Sequence, residues 1–256
     1  MLWAWLRSVQ YKFYIIFIKM KKLIILLMFA YSGLAIGQIN LSTFDKTSFL
    51  IGTLSDYIGH EQTFTVSTGN NYFQLVDSYH KEETKLVALI DSLFKSEYKD
   101  LRTTNNGAPN GIRIFSKSLS TVINDYFKYE PSFMGRTVEG DTIYMGSLKS
   151  EKLITDLQKL SFIAGVYLRF GGKTEANEYY FSMPNSLSKS KICAELLIKF
   201  KCTDVKYITK KERFPVANFI LFEPSKRIEE FIKIVEPYMI DRHISSEILK
   251  IMIEKL

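Results

Sequence analysis

The chain has few of the residues that usually mark a chemistry: two Cys, three His, 13 Gly and six Pro in 256 positions. Two cysteines exclude a disulfide-built scaffold, and three scattered histidines with them give no zinc-ligand spacing. The low Gly and Pro content, with 46% hydrophobic residues, excludes collagen-like, linker-like and disordered classes. HExxH, GxSxG, the phosphate-binding GxxxxGK(S/T) and the dinucleotide-binding GxGxxG are all missing, so hydrolases and nucleotide enzymes of those types are disfavoured, and neither a cofactor nor a metal is implied. Charge of one sign is also scarce once the first 37 residues are set aside. These hold five of the 34 basic side chains and no acid, leaving 29 basic against 27 acidic in residues 38–256. Such a balance disfavours a protein built to seek polyanions.

What is present begins with a leader. Met20-Lys21-Lys22, the apolar run Leu23–Ala35 and the small residues Ala35 and Gly37 ahead of Gln38 have the three-part pattern of a secretory signal. The pattern resembles signal peptides of the Bacteroidota, and no Cys lies near the cut to carry a lipid. Residues 1–19 read as an extension ahead of the true start, Met20. The expected product is secreted or periplasmic, cleaved before Gln38, with no membrane span in the mature chain. The alternative keeps residues 1–37 as an N-terminal membrane anchor, although Lys19, Lys21 and Lys22 interrupt any run of the roughly 20 apolar residues that a span needs.

The chain repeats itself, and a duplicated pattern constrains the fold more tightly than a single motif. Ser48-Phe49-Leu50-Ile51-Gly52 with Gly59 matches Ser161-Phe162-Ile163-Ala164-Gly165 with Gly172, both spaced Ser-Phe-x-x-Gly-x6-Gly. Lys85–Phe94 then aligns with Lys191–Phe200, sharing Lys, Ala and Phe. Strand-like stretches lie at 63–66, 72–76, 111–115, 179–183, 205–208 and 218–222, and helical ones at 119–127 and 227–235. The expected fold is α+β, with two pseudo-symmetric αββαββα units. The expected division is 1–19 extension, 20–37 signal peptide, 38–128 first unit, 129–159 connection, 160–238 second unit and 239–256 C-terminal helix, with Ile248, Ile251 and Met252 on one face.

Two helices carrying aliphatic-small-Gly in a duplicated αββαββα order resemble the LAGLIDADG homing endonucleases. The stretches are Leu50-Ile51-Gly52-Thr53 and Ile163-Ala164-Gly165-Val166, and the resemblance covers about residues 47–238. It implies a helix–helix interface through Gly52 and Gly165, with Gly59 and Gly172 as further interface positions. A mid-helix Gly costs about 1 kcal/mol against Ala, so a matched pair asks for backbones in close contact. In that family the acidic residue five places after the motif Gly holds a divalent metal at the DNA. Here those places are Tyr57 and Phe170, neither of which binds Mg²⁺, with Asp56 and Arg169 one residue before them. The resemblance thus implies the scaffold without cleavage.

Three functions are set side by side. The first is a secreted or periplasmic, non-catalytic binding protein on a degenerate LAGLIDADG-like scaffold, its ligand and partner unknown. The second is a nucleic-acid-binding protein of maturase or endonuclease descent, binding weakly through Lys199, Lys201, Lys206, Lys210, Lys211 and Arg213; a solvated Lys-rich hairpin edge is the plainer account of these residues. The third is a hydrolase using Asp56, His60 and Glu61 at a helix end, where a surface histidine near a helix C-terminus is the plainer account. His80 and His243 read as surface residues. Aromatics on the strands, among them Tyr72, Phe73, Tyr179, Tyr180 and Phe181, would stack on bases or sugars if exposed, and otherwise fill the core. Cys193 reads as core, and a bridge to Cys202 requires a break near Lys201.

Overall fold

A computed structural model describes residues 43–55, 60–63, 74–105, 111–136, 140, 142–184, 186–210 and 217–239. The extension and signal peptide, Asp56, Tyr57, Gly59, Lys211, Arg213, His243 and the C-terminal helix lie outside the described residues. Phe44–Leu256 is one compact unit, and it is described below by itself.

The element order is α1 (Lys46–Thr53), β1 (His60–Thr63), β2 (Leu75–His80), α2 (Thr84–Phe94), β3 (Arg102–Thr104), β4 (Gly111–Phe115) and α3 (Lys117–Asn124). A hairpin follows, β5 (Phe127–Arg136) and β6 (Thr142–Leu148). Then come α4 (Asp156–Phe170), β7 (Gly171–Lys173), β8 (Tyr179–Pro184), α5 (Leu187–Lys199), β9 (Thr203–Lys210), β10 (Ala217–Glu223) and α6 (Lys226–Val235). The fold is α+β, and the order αββαββα occurs on both sides of the hairpin.

Helix starts follow from side-chain caps. Asp45 accepts from Ser48 N at the head of α1, Ser116 from Leu119 N at α3, and Ser225 from Ile228 N at α6. Thr155 and Gln158 form a reciprocal capping box at α4. At eight residues α1 is far too short to persist alone. It is held because Ser48 to Thr53 are all buried, chiefly against α4.

The α1–α4 crossing is the geometric centre of the fold. A Cβ on Gly52 would lie 2.2 Å from the Phe162 carbonyl oxygen, and one on Gly165 would lie 2.1 Å from that of Phe49. Backbone therefore rests on backbone, and no larger residue fits either position. Ser161, in the same motif, accepts the Asp45 N–H at 2.9 Å across the crossing. Gly172 has a different task from the one expected: it lies on β7, where a Cβ would meet the Tyr180 hydroxyl at 2.4 Å, so the Tyr180 ring lies over it.

The two halves build different sheets. The second half forms one antiparallel sheet in the order β7-β8-β10-β9. The first half forms β2-β4-β3, while β1 pairs with β6 in a third sheet, β1-β6-β5. The stretch expected to be a connection is thus a hairpin that pairs with β1. Its Pro131 lies on the edge strand β5, where a missing N–H is tolerated. Gly146 on β6 leaves room for the Tyr129 ring, 2.8 Å from where its Cβ would be.

In the second half, Tyr179, Phe181, Met183, Ile220 and Phe222 share the face toward α4 and α5. Phe181 and Phe222 rings stand 4.9 Å apart, with Tyr167 of α4 edge-on to Phe181. On the opposite face Tyr180, Phe219 and Leu221 are also buried, with Ile208 packed on Tyr180 and Leu221. The β8 and β10 aromatics are therefore not a solvent-facing row. Neither Cys193 nor Cys202 forms a disulfide, and both are buried. Among the described residues no helix is long and apolar enough to cross a membrane.

Candidate functional site

The C-terminal ends of α1 and α4 meet where the family resemblance would place metal-holding acids. A helix end exposes carbonyls without intrahelical partners and a partial negative charge. α1 has no basic residue in its own last turn. Cations reach it from elsewhere in the chain. The Lys189 ammonium, from α5, donates to the Gly52 carbonyl at 3.3 Å and also to the Leu54 carbonyl. Arg169, on the last turn of α4, donates to the Thr53 carbonyl at 2.7 Å.

Arg169 organises the rest. Its Nη1 meets Asp77 Oδ2 at 2.5 Å, its Nε meets Glu83 Oε1 at 3.1 Å and its Nη2 donates to the Ser78 carbonyl at 2.7 Å. The guanidinium also lies over the Tyr79 ring at 4.4 Å. Burial by itself would lower its pKa, but Asp77 and Glu83 outweigh that and raise it. Both carboxylates are further occupied by backbone donors: Ser55 N and Ser78 N on Asp77, and His80 N on Glu83 at 2.6 Å. Beside the cluster, Glu83, Leu86, Leu168, Arg169, Gly171, Tyr238 and Met239 line a narrow cleft.

This donor set does not fit a divalent cation. Asp77 and Glu83 supply carboxylate oxygens, but two fixed positive charges share the space. The Phe170 ring, at the motif's acid position, has Arg169 at 5.5 Å and Lys189 at 5.2 Å. At about 5 Å and an effective dielectric near 20, a dication would repel each of these by on the order of 7 kcal/mol. Lys189 and Arg169 occupy the helix-end carbonyls that a metal would otherwise draw on. Among the described residues no group of three or more His, Cys, Asp or Glu could hold a metal ion.

The expected site residues fare unevenly. His60 is not a surface histidine after a helix but the first residue of β1, 5% exposed, with its ring stacked on Phe127 at 4.8 Å. Burial pushes its pKa down to about 4, so it is neutral near pH 7. Glu61 shares β1, although its side chain, like Asp56, is outside the described residues. Of the basic group, Lys199 ends α5, Lys201 follows in a left-handed backbone conformation (φ 62°) and Lys206 lies on β9; all three are exposed. Lys206, paired with Leu221, lies on the sheet face away from α5, and Lys210 ends β9 with its side chain outside the described residues. Lys199 lies on the helix side, so the described lysines do not converge on one surface. His80 is exposed, as expected, but ends β2.

Arg169 is the one member of the cluster that the sequence singles out, as the counterpart of Asp56 in the second motif. Asp77 and Glu83 lie 92 and 86 residues away in sequence and read as helix-start acids. Lys189, in Ser188-Lys189-Ser190-Lys191, goes unremarked in the sequence, yet it is fully buried. The cation-poor C-terminus of α1 is the signal that could have flagged it.

Among solved structures, the chain is similar to mesophilic variants of the homing endonuclease I-DmoI, with 14% identity over 74% of this chain and 94% of that one and a TM-score of 0.46. It is also similar to the homing endonuclease I-WcaI bound to its DNA recognition sequence, with 15% identity over 77% and 84% and a TM-score of 0.43. The N-terminal LAGLIDADG domain of DUF199/WhiA matches at 11% identity over 76% and 91%, with a TM-score of 0.24. No family model and no curated protein matches the chain.

Proposed function

We propose that the chain is an exported, non-catalytic binding protein on a degenerate LAGLIDADG-like scaffold. The observation that carries this reading is the buried Arg169–Asp77–Glu83–Lys189 cluster. Its charges compensate one another inside the chain, at the place where metal-dependent cleavage would need an acid and an open coordination position. The Met20–Gly37 pattern supplies the address, with the mature chain starting at Gln38.

The test has two parts. The exported protein is weighed by mass spectrometry, with an N-terminus at Gln38 expected. The purified chain is then incubated with supercoiled plasmid and Mg²⁺ or Mn²⁺, with no nicking above a metal-free control. Divalent-dependent nicking that disappears in Asp77→Asn would overturn the non-catalytic reading, and retention of residues 1–37 would overturn the export reading.

A second reading, nucleic-acid binding without cleavage, has one observation in its favour. On the sheet β2-β4-β3, Arg102 is exposed, stacked on the Phe115 ring at 5.3 Å and hydrogen-bonded to Gln74, and Arg113 lies half-buried on the same face. Salt-dependent anisotropy of a labelled duplex separates the readings. Binding that weakens steeply with salt and drops in Arg102→Ala with Arg113→Ala would favour the second.

A further inference from the structure

The solvent side of α5 is apolar where a surface helix is ordinarily charged, an observation that does not rest on the proposed function. At 100° per residue, Leu187, Lys191, Ala194 and Ile198 fall within about 60° of arc, opposite the buried Ile192, Cys193 and Leu196. Leu187 is 54% exposed and Ile198 64%. Apolar residues flank the helix on both sides. Tyr207 of β9, 38% exposed, shares a hydrogen bond with Ser190 Oγ at 2.9 Å. On the other flank the Lys159 ammonium donates to the Ile154 carbonyl at 2.5 Å and lies beside the Lys199 ammonium, and Ile154 is 72% exposed. Four of the five exposed large hydrophobics among the described residues thus gather around α5, and such a patch marks a contact surface.

The charge around it is mostly of one sign. Lys191 lies on the stripe, Lys159 and Lys199 meet at its C-terminal end, and α5 sets a single acid, Glu195, against them. Desolvation, and then the Lys199 charge beside it, lowers the Lys159 pKa. Asp156 offsets this only in part, because Arg227 already takes its carboxylate at 2.8 Å.

We propose that the outward face of α5, with Ile154 and Tyr207 on its flanks, docks on an anionic phospholipid bilayer. Composition favours lipid over a protein partner. Protein interfaces are anchored by aromatic residues and arginine and are poor in lysine, whereas aliphatic side chains set among lysines suit a lipid surface. Shape points the same way. Leu187 and Ile198 stand on the crest of a helix, about 16 Å apart along its axis, so their tips enter the headgroup layer while Lys159, Lys191 and Lys199 meet the lipid phosphates.

The test mixes the chain from Gln38 onward, which holds the whole compact unit Phe44–Leu256, with vesicles of phosphatidylcholine alone or with phosphatidylglycerol added. Both tryptophans lie ahead of Gln38, at positions 3 and 5, so Ile198→Trp supplies a single reporter. Its emission is expected to shift to the blue with the anionic vesicles and not with the neutral ones. Co-sedimentation with the anionic vesicles is expected to weaken about tenfold or more in Lys191→Glu with Lys199→Glu, and likewise in Leu187→Ser with Ile198→Ser. These four side chains are exposed, so the urea midpoint should hold. No co-sedimentation, or co-sedimentation that the Leu187→Ser and Ile198→Ser pair leaves unchanged, would overturn the proposal. An unshifted emission from chain that sediments would do so as well, by placing the contact elsewhere. A concentration-dependent rise in mass without lipid, abolished by Leu187→Ser with Ile198→Ser, would overturn it by assigning the face to a second copy.

Discussion

Replacing Gly165 with Ala tests the α1–α4 crossing at its tightest point. The new methyl would lie 2.1 Å from the Phe49 carbonyl oxygen, more than 1 Å inside ordinary contact, and 3.2 Å from the Gly52 Cα. Neither neighbour is a flexible side-chain end, so the helices themselves must separate. Separation loosens the packing of Phe49 and Phe162, both fully buried, and stretches the Asp45–Ser161 hydrogen bond. Overpacking of this kind costs about 1–3 kcal/mol or more, and an added loss of buried contacts brings the total to about 4. Alanine returns about 1 kcal/mol through helix propensity, leaving a net loss of about 3 kcal/mol. In urea denaturation the midpoint falls while the slope is unchanged, and thermal unfolding drops by roughly 6–12 °C for a chain of this size. Gly52→Ala should behave alike, and the double variant should lose less than the sum, because one separation of the helices relieves both clashes. Equal or higher stability of Gly165→Ala would refute the backbone-on-backbone crossing, since propensity alone would then decide the sign.

Three further outcomes follow from the cluster and its surroundings. Arg169→Met leaves Asp77 and Glu83 buried without their guanidinium and should lower unfolding free energy by about 3–5 kcal/mol in urea titration; a loss under 1 kcal/mol would mean that the pairs are not made. The pKa of His60, lowered from 6.5 to about 4, means that the unfolded chain binds more protons than the folded one between these values. Its contribution is present in full above pH 6.5 and fades as pH falls toward 4, by about 3 kcal/mol in total. His60→Phe should flatten that part of the stability–pH curve, and an unchanged slope would contradict the burial. Cys193 and Cys202 should resist a thiol reagent in the native chain and react with two equivalents once unfolded, whereas prompt native reaction or a disulfide by mass would contradict their placement.

How far the sequence discloses this structure depends on the range of the interaction. Gly52 and Gly165 were legible because a helix former in the same place would be better by about 1 kcal/mol in isolation, so their recurrence announces a tertiary contact. The helices at 84–94, 187–199 and 226–235 show in local apolar periodicity. The β5–β6 hairpin did not, because Pro131, Gly135, Gly140 and Gly146 carry the signature of a loop, and only its pairing with β1 explains Gly146. His60 reads as a surface residue until that same pairing buries it. The Arg169 cluster was half legible: the wrong-signed residue at the motif stood out, but the acids that neutralise it come from β2 and the start of α2, and Lys189 from a serine-rich stretch. Local patterning carries no information about which distant acids a buried arginine will meet.

Arg169 and Lys189 place two internal cations where a divalent metal would otherwise bind. Electron paramagnetic resonance of Mn²⁺ titrated into the purified chain measures this directly, because only the free ion gives the full six-line signal. With both cations in place the signal should rise in proportion to added Mn²⁺ through the millimolar range, with no break at one or two equivalents. A break at either ratio that vanishes in Asp77→Asn would instead show a working metal site at the helix ends.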